Sequence, residues 1–587
     1  MLALIAIVPL SLVRVESRPL RVIDIGFQTK PTLATQIAVQ VCAGLLNRDG
    51  AKGGPVYTLG SQRDVDWLSS TGVPLPVASS ADAFLASCLH GPDAVASGYI
   101  AYNASDFLTI PPLITLAAVL DAVPLESDDP RIGDAKQVFD SRIAWRGFGA
   151  YEATEYMLEH HINATTTMAK MNPGLGVHDK PIKPFHPPLD GKPAVGLMDY
   201  IVKARLFNFF LNEGCIPLTK DHALMERIVT ENPWAKPIVV YGYDDSFAIA
   251  GDLFEAETTC TTQRNMGQVA TDGCSNLAYW SRAPRVTTPL VQPPSAHVPW
   301  SAAMTYVALV VGDGDNLNYI KGGRRDWMLE RVSRCANGTA PRDLACFPLT
   351  WTISPQALHL APAWLEWYFA QAHRTQRDYF VLPPSGTTYA YPGLMRADAQ
   401  AAFVAATERD CELLNASVTV DWEFMLTWPG AIDTFYPRYA ANEIVRSIVC
   451  VNVPYLFPVL AFGPNEFFKV IPAKASAQGS TGGVAPGGVA PGGDAGRGGS
   501  VVAFKPREWR GARSGGKDER NATAMAAELG DDPPGTVTAI YVTSDGGGNL
   551  GMLYDFVAAL PPHVRVVDAN ALAGLAMQKM RAAPPSA

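Results

Sequence analysis

The chain has 587 residues, more than one ordinary domain needs and enough to bury a sizeable core in each of two. Lys and Arg number 47 against 56 Asp and Glu, giving a formal charge of -9, which excludes a general nucleic-acid binder because neutralising phosphates takes clustered cations. Hydrophobic residues at 48% and charged residues at 18% exclude a chain disordered throughout.

In chain order, MLALIAIVPLSLV comes first, followed by Arg14 and Ser17, and resembles the apolar part of a secretory signal. Residues 1–19 are therefore read as a leader, although no cation precedes the run; a buried first strand is the alternative. Interrupted by Pro9 and Ser11, the run is too short to span a bilayer, and no later stretch is long enough. RVIDIGF then reads as a strand and PTLATQIAVQVCAGLLNR as a helix begun at Pro31. PPLITLAAVLDAV, YEATEYMLEHHI, DYIVKARLFNFFLNEG and the strand PIVVYGY continue an α/β pattern. PRVTTPLVQPPSAHVPW, near residues 284–300, reads as a boundary.

Beyond it, eight strand-like runs follow: MTYVALVV, CFPLTWTI, DYFVLP, SVTVDWEF, SIVCVNV, VVAF, TAIYVT and VRVV. Helical patterns such as PAWLEWYFAQAHR and RADAQAAFVAATERDCELLN lie between most of them. Eight strands alternating with helices fit a closed parallel (β/α) barrel, and an open doubly wound sheet has the same signature. The fold expected is α/β: an N-terminal α/β region at 20–290, then a (β/α) barrel-like C-terminal domain at 300–575. Residues 473–500, with two GGVAP copies and almost no apolar bulk, read as a Gly-rich insertion in a surface loop.

The compartment is read from two further features. Five N-x-S/T sequons begin at Asn103, Asn163, Asn337, Asn415 and Asn521, and point to a secreted or lumenal glycoprotein. Of nine cysteines, Cys260 with Cys274 and Cys335 with Cys346 are close enough to close short disulfide loops. No CxxC or zinc-ligand spacing occurs, so neither a structural metal nor a cofactor is expected.

Three clusters could carry chemistry. The first is Gly312-Asp313-Gly314-Asp315-Asn316, directly after MTYVALVV. Ligands in parallel α/β architectures bind beyond the carboxyl ends of strands, and the two glycines allow the sharp turn that would place both carboxylates there. A capping turn and a cation site are the other readings of these oxygens. The second is Asp421-Trp422-Glu423, ending SVTVDWEF. Alternation puts both acids on one face and Trp422 on the other. If the acids face the barrel mouth, crowding would split their pKa values, as glycosidic cleavage requires; an outward salt-bridged pair is the alternative. The third is PPSGTTYAYP at 383–392. Tyr389 and Tyr391 offer flat faces and hydroxyls suited to sugar rings, or plug the core. Trp351, Trp422 and Trp428 are candidate stacking residues, though core is the default for each. Asp244, Asp245 and Asp545 are further strand-end acids, and Gly546 to Gly548 could cradle an anion or form an ordinary turn. His160 and His161 lack an HExxH context, and no GxSxG elbow supports acyl transfer.

GTTYAYP resembles the signature of the GxGYxYP family, a group of glycoside hydrolase type with an N-terminal α/β region and a larger C-terminal domain. VVGDGDNL, WTISPQALHLAPAWLEWYF and DYFVLPPSG look like family segments in the same order, so the resemblance runs through most of the chain apart from the insertion. Gly386, Tyr389, Tyr391 and Pro392 match the signature, whereas Thr388 stands at its second glycine, where a β-branched residue disfavours positive φ.

The combined expectation is a glycosidase acting on an oligo- or polysaccharide, with Asp313, Asp315, Asp421 and Glu423 as the catalytic acids. Asn316, Gly386, Tyr389, Tyr391, Trp351 and Asp545 would bind substrate. The alternatives are a non-catalytic secreted carbohydrate-binding glycoprotein and a metal-dependent hydrolase using Asp313, Asp315 and Asn316. Neither a nucleic acid nor a membrane span is expected, and the sequence leaves the oligomeric state open.

Overall fold

A computed structural model describes residues 19–48, 54–91, 94–171, 195–243, 256–271, 273–337, 342–424, 426–453, 461–463, 466–473, 499–509, 521–543 and 550–582. The leader at 1–18 and residues 474–498 of the insertion lie outside them.

The first half builds three parallel sheets. β1 (Arg21–Asp24) pairs β2 (Val56–Leu59). β3 (Gly98–Tyr102), β4 (Ala122–Glu126) and β5 (Gln137–Asp140) lie in the order β4-β3-β5. β6 (Met168–Lys170), β7 (Phe207–Phe209), β8 (Val239–Tyr241) and β9 (Gly267–Val269) lie in the order β7-β6-β8-β9. The helix expected after RVIDIGF is present at Leu33–Leu46 and helix-like YEATEYMLEHHI forms Ala150–His161, while the other α/β segments supply the helices Ile110–Leu120 and Met198–Ala204. The first begins not at Pro31 but at Leu33, capped by Thr32, whose hydroxyl accepts the Thr35 N–H at 3.2 Å, because a capping oxygen satisfies a donor that proline cannot.

All eight strand runs beyond residue 300 form strands. β10 (Thr305–Val311), β11 (Leu349–Thr352) and β12 (Asp378–Val381) are followed by β13 (Val418–Phe424) and β14 (Ser447–Val453). Next come β15 (Phe468–Pro472), β16 (Ser500–Phe504), β17 (Arg507–Trp509), β18 (Val537–Val542) and β19 (Val564–Val567). They make two sheets: β12-β11-β10-β18-β17 with β19 beside β10, and β13-β14-β16-β15. Every pairing is parallel except β15 with β16. This is a mixed α/β architecture of parallel sheets. The ladder is not a closed ring among the described residues, because β12 meets β13 only through the single bridge Leu382 to Thr419.

Both faces of β10, β11, β12 and β18 are buried, which is why they read as largely apolar runs. On β10, Tyr306, Ala308 and Val310 join one cluster, while Val307, Leu309 and Val311 join another. The first cluster collects Val418, Val420, Val449, Val451 and Val502 from the second sheet, so the two sheets share an inner core. The second is the helix-facing core, continuous with the first half of the chain: Trp67 stacks on Trp364 at 5.2 Å and donates its indole N–H to the Lys321 carbonyl.

The Pro-rich stretch before residue 300 forms no regular element and is tied to the second half. The Gln292 amide donates to the Phe380 and Leu414 carbonyls and accepts the Phe380 N–H. The expected insertion bound of 473–500 is corrected at its end, since Ser500 opens β16. The Ala473 N–H donates to the Gly499 carbonyl at 3.0 Å, so the chain leaves and re-enters at one point of the β15–β16 pairing. Disulfides join Cys42–Cys88, Cys215–Cys260 and Cys335–Cys346. The expected Cys260–Cys274 pair is therefore wrong: Cys260 meets Cys215, and the buried Cys274 thiol lies 3.1 Å from Asn318 Oδ1.

Candidate active site

The turn after β10 is set by two close approaches. Gly312 continues the inner face of the strand, where a Cβ would sit 2.2 Å from the Tyr541 ring. A Cβ on Gly314 would sit 2.1 Å from the Thr352 carbonyl oxygen. Between them Asp313 adopts φ 58, and its N–H donates to Tyr541 Oη at 2.9 Å. The Asp313 Oδ1 lies 3.5 Å from the same hydroxyl. Thr352 Oγ1 accepts the Gly314 N–H and donates to the Val311 carbonyl, and the buried Arg324 guanidinium donates to the Thr352 carbonyl. Asp315 is half-buried. Burial first, and then the charge of Asp313, push its carboxyl up to about 7 against the opposing pull of Arg324. Asn316 caps the helix Leu317–Lys321, its Oδ1 accepting the Asn318 N–H at 2.9 Å.

The signature loop is fixed on three sides. Tyr389 and Gln268 of β9 exchange two backbone hydrogen bonds of 2.9 Å. The Tyr391 N–H donates to Thr262 Oγ1. Ser385 Oγ donates to the Ala390 carbonyl and accepts the Trp422 N–H, which joins the loop to β13. Positive φ falls at Gly386 (121°) and not at Thr388, so the departure at the signature's second glycine carries no left-handed strain. Thr388 instead packs on Gly267.

An aromatic chain connects the loop to the acid turn. Tyr389 Oη is 3.3 Å from Tyr391 Oη, and the Tyr389 ring centroid is 5.6 Å from that of Trp422. Trp422 in turn is 6.1 Å from Tyr541. All four rings are buried, so they form a packed floor and not an open stacking face.

Alternation on β13 therefore has a definite outcome. Trp422 faces the inner core, and Asp421 and Glu423 face the helices. Asp421 accepts the Tyr436 hydroxyl at 2.6 Å. Glu423 accepts the Thr427 hydroxyl and the Gly393 N–H. Both acids are fully buried, which pushes Asp421 up to about 7, while burial and then the Asp421 charge push Glu423 well above the carboxylate range.

Of the residues read from the sequence, Asp313 and Asp315 share the turn after β10 with Asn316, and Tyr389 and Tyr391 share the signature loop with Gly386, the two segments being linked through Trp422 and Tyr541. The structure does not bring Asp421 and Glu423 to the inner side of Trp422. Trp351 also departs from the expected site: it belongs to the helix-facing core, and its indole N–H donates to Asp378, which pairs with Arg331. Trp428 is buried and donates to Asn452. Asp244, Asp245, Asp545 and Gly546 to Gly548 lie outside the described residues. Tyr541, Ser385, Gln268 and Thr262 escaped the sequence reading. Tyr541 shares the inner face of β18 with Val537 and Ala539, but the other face is buried too, so alternation alone gives it no direction. Among the described residues, no group of three or more His, Cys, Asp or Glu could hold a metal ion.

The fold defines an α/β protein with parallel sheets, with an acid turn beyond β10 and a tyrosine loop beyond β12. Residues 303–422 match the family described as GxGYxYP putative glycoside hydrolase C-terminal domain, a stretch that runs from β10 through the signature loop to Trp422. The likeness carried by GTTYAYP is thus shown over that stretch. A crystal structure of a putative hydrolase from Bacteroides thetaiotaomicron VPI-5482 is similar to this chain, with a TM-score of 0.69 and 19% identity over 96% of this chain and 95% of that one. That likeness is one of fold. No curated protein matches the sequence. Three disulfides fit an oxidising compartment. No described helix is long and apolar enough to cross a membrane.

Proposed function

We propose that the protein is a glycoside hydrolase acting on an oligo- or polysaccharide, with Asp313 and Asp315 as its acid pair. The observation that carries this reading is the Asp315 carboxyl: half-buried at a strand's carboxyl end and pushed up to about 7 by burial and by the charge of Asp313. Two carboxyls whose environments separate their pKa values divide the acid and base roles. Protonated Asp315 gives its proton to the glycosidic oxygen as the bond from that oxygen to the anomeric carbon breaks. In this reading Asp313 is the partner carboxylate: it either attacks the anomeric carbon, forming a glycosyl ester that water, deprotonated by Asp315, then hydrolyses with net retention, or takes a proton from the water that attacks directly, with inversion. Tyr541 orients Asp313 through the backbone N–H.

This reading leaves Asp421 and Glu423 outside the acid pair, behind Trp422. It takes the two C-terminal sheets as one barrel-like unit within 300–575, preceded by the α/β region at 20–290. Support comes from their common inner core and from residues 500–509, whose first strand pairs β14 and whose second pairs β18.

The test is a panel of aryl glycosides and oligosaccharides assayed with Asp313→Asn and Asp315→Asn. Removing a positioned acid or base costs about 10²–10⁴-fold, so both variants should lose at least 10²-fold in kcat with unchanged far-UV circular dichroism. Wild-type rates in either variant would reject the pair.

A further inference from the structure

We infer that the folded protein carries N-linked glycans at Asn103, Asn163, Asn415 and Asn521. These are the four sequon asparagines whose side chains lie among the described residues, and all four are exposed. Each is followed by Ala and then by Ser or Thr, so no proline blocks the sequon. The fully buried asparagines Asn47, Asn208, Asn276 and Asn452 all lie outside sequons. The described sequons therefore all fall on exposed asparagines and none on a buried one.

At two of the sites the amide oxygen has a local role. Asn103 Oδ1 accepts the Ser105 N–H at 3.0 Å, and Asn521 Oδ1 accepts the Ala524 N–H at 2.8 Å as the cap of the helix Ala522–Gly530. In both, the amide oxygen holds the turn, which leaves Nδ2 out of that hydrogen bond. Asn163 lies in the short turn Ile162–Ala164, and Asn415 ends the helix Ala397–Leu414 at φ 50. Asn103 and Asn415 also line open clefts, of about 430 and 1130 Å³, with room for a first sugar. The three disulfides fit the oxidising route where the modification occurs.

The donor is a lipid-diphosphate-linked oligosaccharide. Asn Nδ2 forms a bond to its anomeric carbon, the bond from that carbon to the phosphate oxygen breaks, and the lipid diphosphate leaves with the electron pair. The amide proton passes to a base of the transferase.

The experiment expresses the full chain in eukaryotic secretory cells and treats the secreted protein with a peptide N-glycosidase in ¹⁸O water. Mass spectrometry should find ¹⁸O-labelled Asp in place of Asn at all four positions, and each single Asn→Gln variant should remove one mobility step. Thr523→Ala removes the Asn521 sequon while keeping the helix cap, so loss of its step is separable from misfolding. Unlabelled Asn at these positions, unchanged mobility after the enzyme, or a chain retained in the cytosol with free thiols would overturn the inference.

Discussion

Thr388 occupies the space that a side chain on Gly267 would need: a Cβ there would sit 1.9 Å from Thr388 Oγ1. The strand β9 and the signature loop are therefore matched, with bulk on one side and none on the other. The exchange of backbone bonds between Gln268 and Tyr389 holds them at that distance. Gly267→Ala should overpack this contact and cost about 1–3 kcal/mol in urea unfolding. Adding Thr388→Gly should recover most of that loss, because the two changes share one cavity. Additive losses would show that the two residues are not coupled.

The contact between Tyr541 and Asp313 invites a second substitution. Tyr541→Phe keeps the ring against Trp422 and removes the acceptor of the Asp313 N–H. An unsatisfied buried donor costs about 1–3 kcal/mol, to be read as a lower urea midpoint at unchanged slope. If Asp313 acts as proposed, kcat should also fall about tenfold, equivalent to about 1.4 kcal/mol of barrier, with KM nearly unchanged.

How much of this was legible depended on burial. Strands buried on both faces read as apolar runs, which made β10, β11, β12 and β18 plain among the eight of ten second-half strands visible in the sequence. β15, FKVIP, carries Lys469 and Pro472, and β17 carries Arg507 and Glu508 in its three residues, so neither has such a run. The same double burial hid direction: alternation put Asp421 and Glu423 on one face of β13, but two apolar faces give no sign of which is inner. Tyr541 passed unnoticed in TAIYVT for the same reason. Cysteine spacing misled where the fold brought a distant partner, since Cys215 reaches Cys260 across 45 residues while Cys274 stays a thiol.

The helix-facing acids make stability fall as pH rises. Asp421, raised to about 7 when folded and near 4 when unfolded, binds its proton more tightly in the folded chain. Between those values the folded state holds more protons than the unfolded one, so unfolding free energy decreases with pH, by about 2–4 kcal/mol for this group. Glu423, raised further, extends the decline. Asp421→Asn cannot ionise and can still accept the Tyr436 hydroxyl, so its melting temperature should be flatter from pH 5 to 8 and exceed the wild type at pH 8. A wild-type curve that rises over this range would contradict the buried-pair account.

The disulfides allow a graded prediction that needs no substrate. In the chain-entropy account, a cross-link stabilises by restricting the unfolded chain, more for longer loops. Cys335–Cys346 encloses a separation of 11 residues, whereas Cys42–Cys88 and Cys215–Cys260 enclose 46 and 45. The short loop should be worth about 3 kcal/mol and each long one about 4. Paired serine substitutions at 335 and 346 should therefore lower the urea midpoint less than those at 215 and 260. The Cys335–Cys346 pair joins the end of the helix Gly323–Asn337 to the approach to β11, so its loss should also expose that segment to proteolysis first. Limited proteolysis of the variant, with cleavage mapped by mass spectrometry, reads this directly. Equal midpoint losses for the two pairs would show that native packing around each bridge outweighs the loop-closure term.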